Sequence, residues 1–165
     1  MQVVCGPLCA NQYAWREKSK AEMIAHREDR KTIKLKLDKL KTLSQLLREA
    51  QVVFNAWVRE RDKSLPCVSC GRFHSGAYDA GHYRSVGAAS GLRFDPMNVH
   101  RQCVPCNQHK SGNVLEYRLG LIQRIGLAEV ERIEGPLPEV KWTKEQAREI
   151  KETYKRKLKE MKNEL

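Results

Sequence analysis

Two pairs of cysteines bracket the middle of the chain: Cys67 and Cys70 in PCVSCG, and Cys103 and Cys106 in RQCVPCN. A CxxC knuckle wraps two thiolates around one side of a tetrahedral ion, and two knuckles complete a structural zinc shell. The 32 residues between Cys70 and Cys103 exceed the roughly 15–20 of a zinc ribbon, so a further segment is inserted between the knuckles. A Cys₄ zinc site is therefore expected, and a module this small would not fold without its metal. Gly81-His82, Asn98 and Asn107 lie around the clamp, which suggests that the zinc braces a second site.

The rest of the composition limits what such a site can serve. The 165 residues allow one compact domain with extensions, or two very small ones. At 31% charged residues and 7% aromatic, the core is small and long solvated helices surround it. A net charge of +11 favours a polyanion, and nucleic acid is preferred over a membrane surface. No run of about 18 apolar residues predicts a membrane span, and the first residues lack the pattern of a secretory signal. A cytoplasmic location follows as an expectation, and there paired cysteines serve metals more often than disulfides. Cys5 and Cys9 are only two ligands, too few for a zinc shell, and are read as free thiols.

Hydrophobic spacing predicts an α+β chain that is mostly helical, in three parts: 1–41, 42–135 and 136–165. Residues 1–12 are expected to be irregular, and Ala14 to Lys41 a solvated basic helix whose few apolar residues leave self-association open. Leu43, Leu46, Leu47, Ala50, Val53, Phe54, Trp57 and Val58 repeat with the period of an amphipathic helix. That face is expected to bury against the zinc module. Two short strands are placed at 78–86 and 97–101, joined through a small flexible loop at 87–91. Asn113 with Glu116 resembles a capping box before a helix that stops at Gly126, and a shorter helical turn follows before Gly135-Pro136. Thr143 and Gln146 cap the last helix. His74 and His109 are assigned to the surface, and Arg72, Arg84, Arg93 and Arg101 flank the site as phosphate contacts.

The order CxxC, Gly-His, Asn-Val, CxxC-Asn-x-x-Lys resembles the HNH, or ββα-metal, nucleases. It is closest to their zinc-braced branch, which includes phage endonuclease VII. More narrowly, residues 51–135 resemble the lambdoid phage NinG/Rap recombination endonucleases. The strings that carry this are FNAWVRERDKSLPCVSCGRFHSG, AGHYRSVGA, LRFDPMNVHRQCVPCNQHKSGN and EYRLGLIQRIG. The resemblance implies a small zinc-braced ββα-metal module between long basic helices. It implies a catalytic Mg²⁺ or Mn²⁺ beside the structural Zn²⁺, and a place in the cytoplasm of a bacterial host. His82 then matches the general base, Asn98 the residue that orients it, Asn107 a ligand of the catalytic ion, and Lys110 a phosphate contact. Many HNH enzymes carry an aspartate just before the base, where this chain has Gly81. Asp79 and His100 are the two candidates for the second ligand.

Two functions follow as expectations. One is a structure-selective DNA endonuclease that cuts branched recombination intermediates, Holliday junctions and D-loops, by metal-dependent phosphodiester hydrolysis. The other is a non-catalytic zinc module that binds DNA in a recombination complex. Cutting both strands of a junction implies a homodimer, with its interface on the Leu43–Val58 helix or the C-terminal helix. Phage or host recombination proteins are the expected further partners, and no membrane.

Overall fold

The computed structural model of the chain describes residues 6–163. These form five α-helices and one two-stranded sheet, an α+β arrangement that is mostly helical. The chain divides into two units, Met1–Lys41 and Thr42–Leu165.

The described residues of the first unit form one helix, α1 (Pro7–Leu40), with no buried residue. It starts well before Ala14, because proline is tolerated in a first turn and no breaker follows it before Lys41. The irregular segment expected over residues 1–12 is thus helical from Pro7. Cys9 lies within α1, and Cys5 lies outside the described residues.

The second unit begins with α2 (Leu43–Arg61). Its start is closed by a capping box between Thr42 and Gln45. Its buried stripe is Leu46, Ala50, Phe54 and Val58. This stripe meets the last helix, α5 (Lys144–Asn163), as well as the strands. Phe54 packs edge-on against Tyr154 at 4.7 Å and against Phe94 at 5.7 Å, with Ala80 and Val99 of the sheet in the same cluster. The apolar faces of α2 and α5, proposed above as dimer interfaces, are thus buried on each other within one chain. Thr143 and Gln146 cap α5 as expected, through hydrogen bonds of 2.9 and 3.2 Å.

Strands β1 (Tyr78–His82) and β2 (Val99–Cys103) pair antiparallel, with Gly81 opposite His100 and Asp79 opposite Gln102. β1 stops at His82, four residues short of expectation, because Tyr83 and Arg84 turn to bond Asn98. β2 starts at Val99, since Asp95–Asn98 is a turn closed by the Asn98 N–H on the Asp95 carbonyl. It runs on to Cys103. The segment expected to be a flexible loop is packed instead. Ala89 and Leu92 are buried, and the Trp142 indole donates to the Ser90 carbonyl at 3.2 Å.

Helices α3 (Val114–Ile125) and α4 (Leu127–Glu134) enclose a second cluster in which Tyr117, Leu121, Val130 and Ile133 pack on Val68 of the first knuckle. No capping box forms at the start of α3. Asn113 sits in the left-handed region at φ 45 and makes no side-chain cap bond.

Gly120 lies in the middle of α3, where glycine normally weakens a helix. A Cβ there would overlap the Val68 carbonyl oxygen, so close contact with the knuckle requires its absence. Gly120→Ala, which in an open helix gains about 1 kcal/mol, is expected to lose on the order of 1–3 kcal/mol here. Urea unfolding of the zinc-loaded protein measures it, and a gain in stability contradicts this packing.

Candidate functional site

The four cysteine sulfurs come together. Their Sγ atoms all lie within 4.8 Å of one another, and Cys70 and Cys103 are 4.0 Å apart. Zinc–sulfur bonds of about 2.3 Å set a tetrahedron edge of about 3.8 Å, so four soft thiolates at this spacing fit Zn²⁺. Cys67 and Cys70 sit in the turn after Pro66, Cys103 ends β2, and Cys106 lies in the short π-helical turn Pro105–His109. Burial pushes the Cys67 thiol up, yet N–H groups of Cys103, Cys70 and Ser69 around it bring it below the ordinary thiol value. Burial and the neighbouring thiols push Cys70 and Cys103 up instead, so the cluster favours a single thiolate until an ion supplies the balancing charge.

Two neighbours of the sulfurs were not read from the sequence as such. The His74 ring places Nε2 3.3 Å from the Cys70 sulfur, and its backbone N–H donates to the Tyr78 hydroxyl at 2.7 Å. His74 is thus half-buried against the cluster rather than a bare surface residue. The Asn113 amide donates to the Cys106 sulfur at 3.7 Å, the role it has in place of capping α3. The only signal for His74 was its place four residues after Cys70. His109, by contrast, is exposed as expected.

Directly after Cys106, Asn107 reaches back to β1. Its Nδ2 donates to Asp79 Oδ2 at 2.8 Å, and Gln108 Nε2 donates to the same oxygen at 2.8 Å. Of the two candidate partners for Asn107, Asp79 is the one in contact. A Cβ at Gly81 would overlap Oε1 of the buried Gln102, so the aspartate common in HNH enzymes would require the Gln102 side chain to move. Gln102 is held in that place by donating Nε2 to Ser69 Oγ at 2.7 Å and to the Gly112 carbonyl at 2.6 Å.

His82 ends β1. Its Nε2 donates to the Arg93 carbonyl at 3.1 Å, which leaves the lone pair on Nδ1. Burial lowers its pKa below the ordinary histidine value, and the Arg93 charge adds to this against the carbonyl hydrogen bond. The ring is therefore neutral and oriented at pH 7. Buried Asn98 organises the chain around it. It accepts from Arg84 N at 2.8 Å and donates to the carbonyls of Arg84 and Leu92 at 3.0 and 3.1 Å. It thereby fixes the turn that presents the Arg93 carbonyl. Side chains alternate along a strand, so His82 shares a face with Ala80 and not with Asp79. Asn107 is in hydrogen-bond contact with Asp79, on the face of β1 opposite to His82. Lys110, one turn beyond Asn107, is exposed.

His100 does not line this site. It is buried, donating Nε2 to the Met97 carbonyl at 3.1 Å, with Nδ1 3.1 Å from the Arg61 guanidinium and 3.5 Å from Asp62 Oδ2. Both nitrogens belong to a network around the buried Asp62. That carboxylate receives Arg61 at 2.7 and 2.9 Å and the Arg101 N–H at 2.9 Å, with Arg124 3.6 Å away. Burial alone would raise the Asp62 pKa, but His100, Arg61 and Arg101 around it hold it well below the usual carboxylate range.

Three of the four arginines assigned to phosphate have structural work. Arg84 donates to the carbonyls that end α4, at Ile133 and Gly135. Arg93 donates to Gln51 at 3.0 Å. Arg101 lies 3.5 Å from the Tyr78 ring centroid and donates to the carbonyls of Lys63 and Leu65. A close-packed hairpin consumes its own cations. Arg72 is exposed.

The purified protein is expected to carry one zinc per chain by elemental analysis, and Cys106→Ser to lose it. His74→Ala should keep that stoichiometry but yield zinc to a chelator with about 10- to 100-fold weaker affinity; an unchanged affinity contradicts the His74–Cys70 contact. For Asp62 the native pKa lies below the unfolded value of about 3.9. Its stabilisation is therefore complete above that pH and is lost as pH falls below it. Asp62→Asn should cost about 3 kcal/mol at pH 7, with the gap to the parent closing below pH about 4 in urea unfolding.

The chain matches the family described as Bacteriophage Lambda NinG protein over residues 1–164. It is 45% identical over 170 residues to Protein ninG of Salmonella phage P22, covering 96% of this chain and 84% of that protein. Protein ninG of Escherichia phage lambda is also 45% identical over 170 residues, at 96% and 83% coverage. Protein ninG of Escherichia phage 933W is 52% identical over 132 residues, which span 79% of this chain and 66% of that one. No solved structure matches. With a family match along nearly its whole length and these identities, the chain belongs to the NinG family of lambdoid phages.

Proposed function

We propose that this chain is a metal-dependent, structure-selective DNA endonuclease that cuts branched recombination intermediates such as Holliday junctions and D-loops. The observation that carries this is the contact of Asp79 with Asn107 immediately beside the last zinc-site cysteine. A carboxylate and an amide are oxygen donors suited to a hard cation such as Mg²⁺ or Mn²⁺, which keeps several waters of its own. Asn107, turned end for end about its last torsion, offers Oδ1 beside the Asp79 carboxylate. Asp79 and Asn107 would hold such an ion, which when bound would supply the positive charge that polarises a scissile phosphate and stabilises a departing 3′ oxygen.

This chain's own groups supply the rest. His82, neutral with Nε2–H on the Arg93 carbonyl, has Nδ1 free to take a proton from the attacking water. Asn98 keeps that carbonyl in place through its hold on Arg84 and Leu92. Lys110 and Arg72, both exposed, are suited to phosphates flanking the break. The +11 charge draws the protein to a four-way junction, where phosphates crowd together. The zinc cluster holds the frame and takes no part in the chemistry.

A second reading has its own support. Alternation along β1 separates His82 from Asp79, as a zinc module that binds DNA without cutting it would allow. Incubation of the zinc-loaded protein with a labelled four-way junction and Mg²⁺ or Mn²⁺ separates the two. The enzyme is expected to cut, and to cut at least about 100-fold more slowly as His82→Ala, Asp79→Asn or Asn107→Ala, with zinc and junction binding retained. Binding without cleavage under either metal establishes the non-catalytic module, and equal cutting of linear duplex contradicts structure selectivity. Because the imidazole must be neutral to accept a proton and its pKa is lowered, the acid limb of the rate should fall off below pH about 6.5.

A further inference from the structure

Helix α1 is 34 residues long, about 51 Å, yet it buries none of its side chains. Its apolar residues are nevertheless ordered. From Met23 onward, residues spaced alternately by three and four fall on one seam: Met23, His26, Arg30, Ile33, Leu37 and Leu40. This is a heptad in which Met23, Arg30 and Leu37 take position a, and His26, Ile33 and Leu40 take position d. Met23 is 75% exposed and Leu37 59% exposed. A shallow groove runs along this face.

The flanking charges identify the occupant. Positions e are Lys20, Arg27 and Lys34, and the g positions beside them are Glu22 and Asp29. In a parallel pair each g residue faces the e residue five places on in the other helix. That sets Glu22 against Arg27 of a second copy and Asp29 against Lys34, two attractive pairs from each strand, while Lys36 at the last g position faces only Lys41, just past the end of the helix. An antiparallel pair would set the basic e positions against one another. Among the described residues none of these four charges takes part in an ion pair, whereas Glu28 and Lys31 on the outer face form one at 2.7 Å. Ile24 and Leu35 fall outside the seam.

We infer that α1 is the strand of a parallel, two-stranded coiled coil formed with a second copy of this chain. Polar residues at core positions, here Arg30 at a and His26 at d, lower the stability of such a coil while fixing its register. Only Lys41 and Thr42 separate Leu40 from the start of α2. The inference stands on α1 alone and is independent of whether the zinc module cuts DNA.

Sedimentation equilibrium of the full, zinc-loaded chain tests it. A reversible dimer is expected, and Leu37→Asp should return it to monomer with zinc content unchanged. The pair Glu22→Lys with Asp29→Lys should weaken the dimer roughly tenfold. Adding Arg27→Glu with Lys34→Glu should restore it, since the same g and e positions are again opposite in sign. All four replacements favour helix, so circular dichroism confirms that α1 persists. A monomeric parent overturns the inference, as does a dimer indifferent to Leu37→Asp or a reversal that the second pair fails to rescue. A monomer whose Arg27 and Lys34 instead set the salt dependence of DNA binding assigns this face to phosphate.

Discussion

The convergence of four sulfurs is the interaction on which the second unit depends. A sheet of two five-residue strands is at the lower limit of what stands in water, and its hairpin is interrupted by a long excursion between His82 and Val99. The cluster joins the turn at Cys67–Cys70 to the end of β2 and the turn that follows it. In doing so it fixes Asn107 next to Cys106. It also fixes Val68, on which α3 and α4 build their own core. The Asp62 network performs the same service without metal, tying the end of α2 to β2 and α3 through one buried carboxylate.

Within that frame the polar groups of the hairpin are divided between the two faces of β1. On one, Asp79 meets Asn107 and Gln108, while Gln102 occupies the room beside Gly81. On the other, His82 is desolvated and held on the Arg93 carbonyl. The absence of a side chain at position 81 therefore leaves Gln102 its place, and Asp79, two residues earlier on the same face, stands where a carboxylate is still possible.

Much of this was legible in the residues. The knuckle spacing gave the cysteine cluster, and the period of Leu46, Ala50, Phe54 and Val58 gave α2 and its buried face. The Thr143–Gln146 pattern gave the cap of α5. What failed to show has physical causes. The partner of the α2 stripe was α5, a contact about 100 residues away that local periodicity does not encode. Arg84, Arg93 and Arg101 read as surface cations, but each met carbonyls, an amide or a ring in the folded hairpin. Asn113 had the spacing of a cap but took a left-handed conformation that turns it to sulfur. His100 shared parity with Asn98, yet the buried Asp62 and Arg61 claimed its ring.

The central claim is that a zinc-held frame keeps Asp79 and Asn107 together as the seat of a second, hard cation. Crystals of the zinc-loaded protein grown with Mn²⁺ and measured at both metal edges test it most directly. The account predicts a zinc peak enclosed by the sulfurs of Cys67, Cys70, Cys103 and Cys106, and a manganese peak bonded to Asp79 and Asn107. Manganese bound elsewhere, or no manganese while the Asp79–Asn107 hydrogen bond persists unchanged, would contradict it.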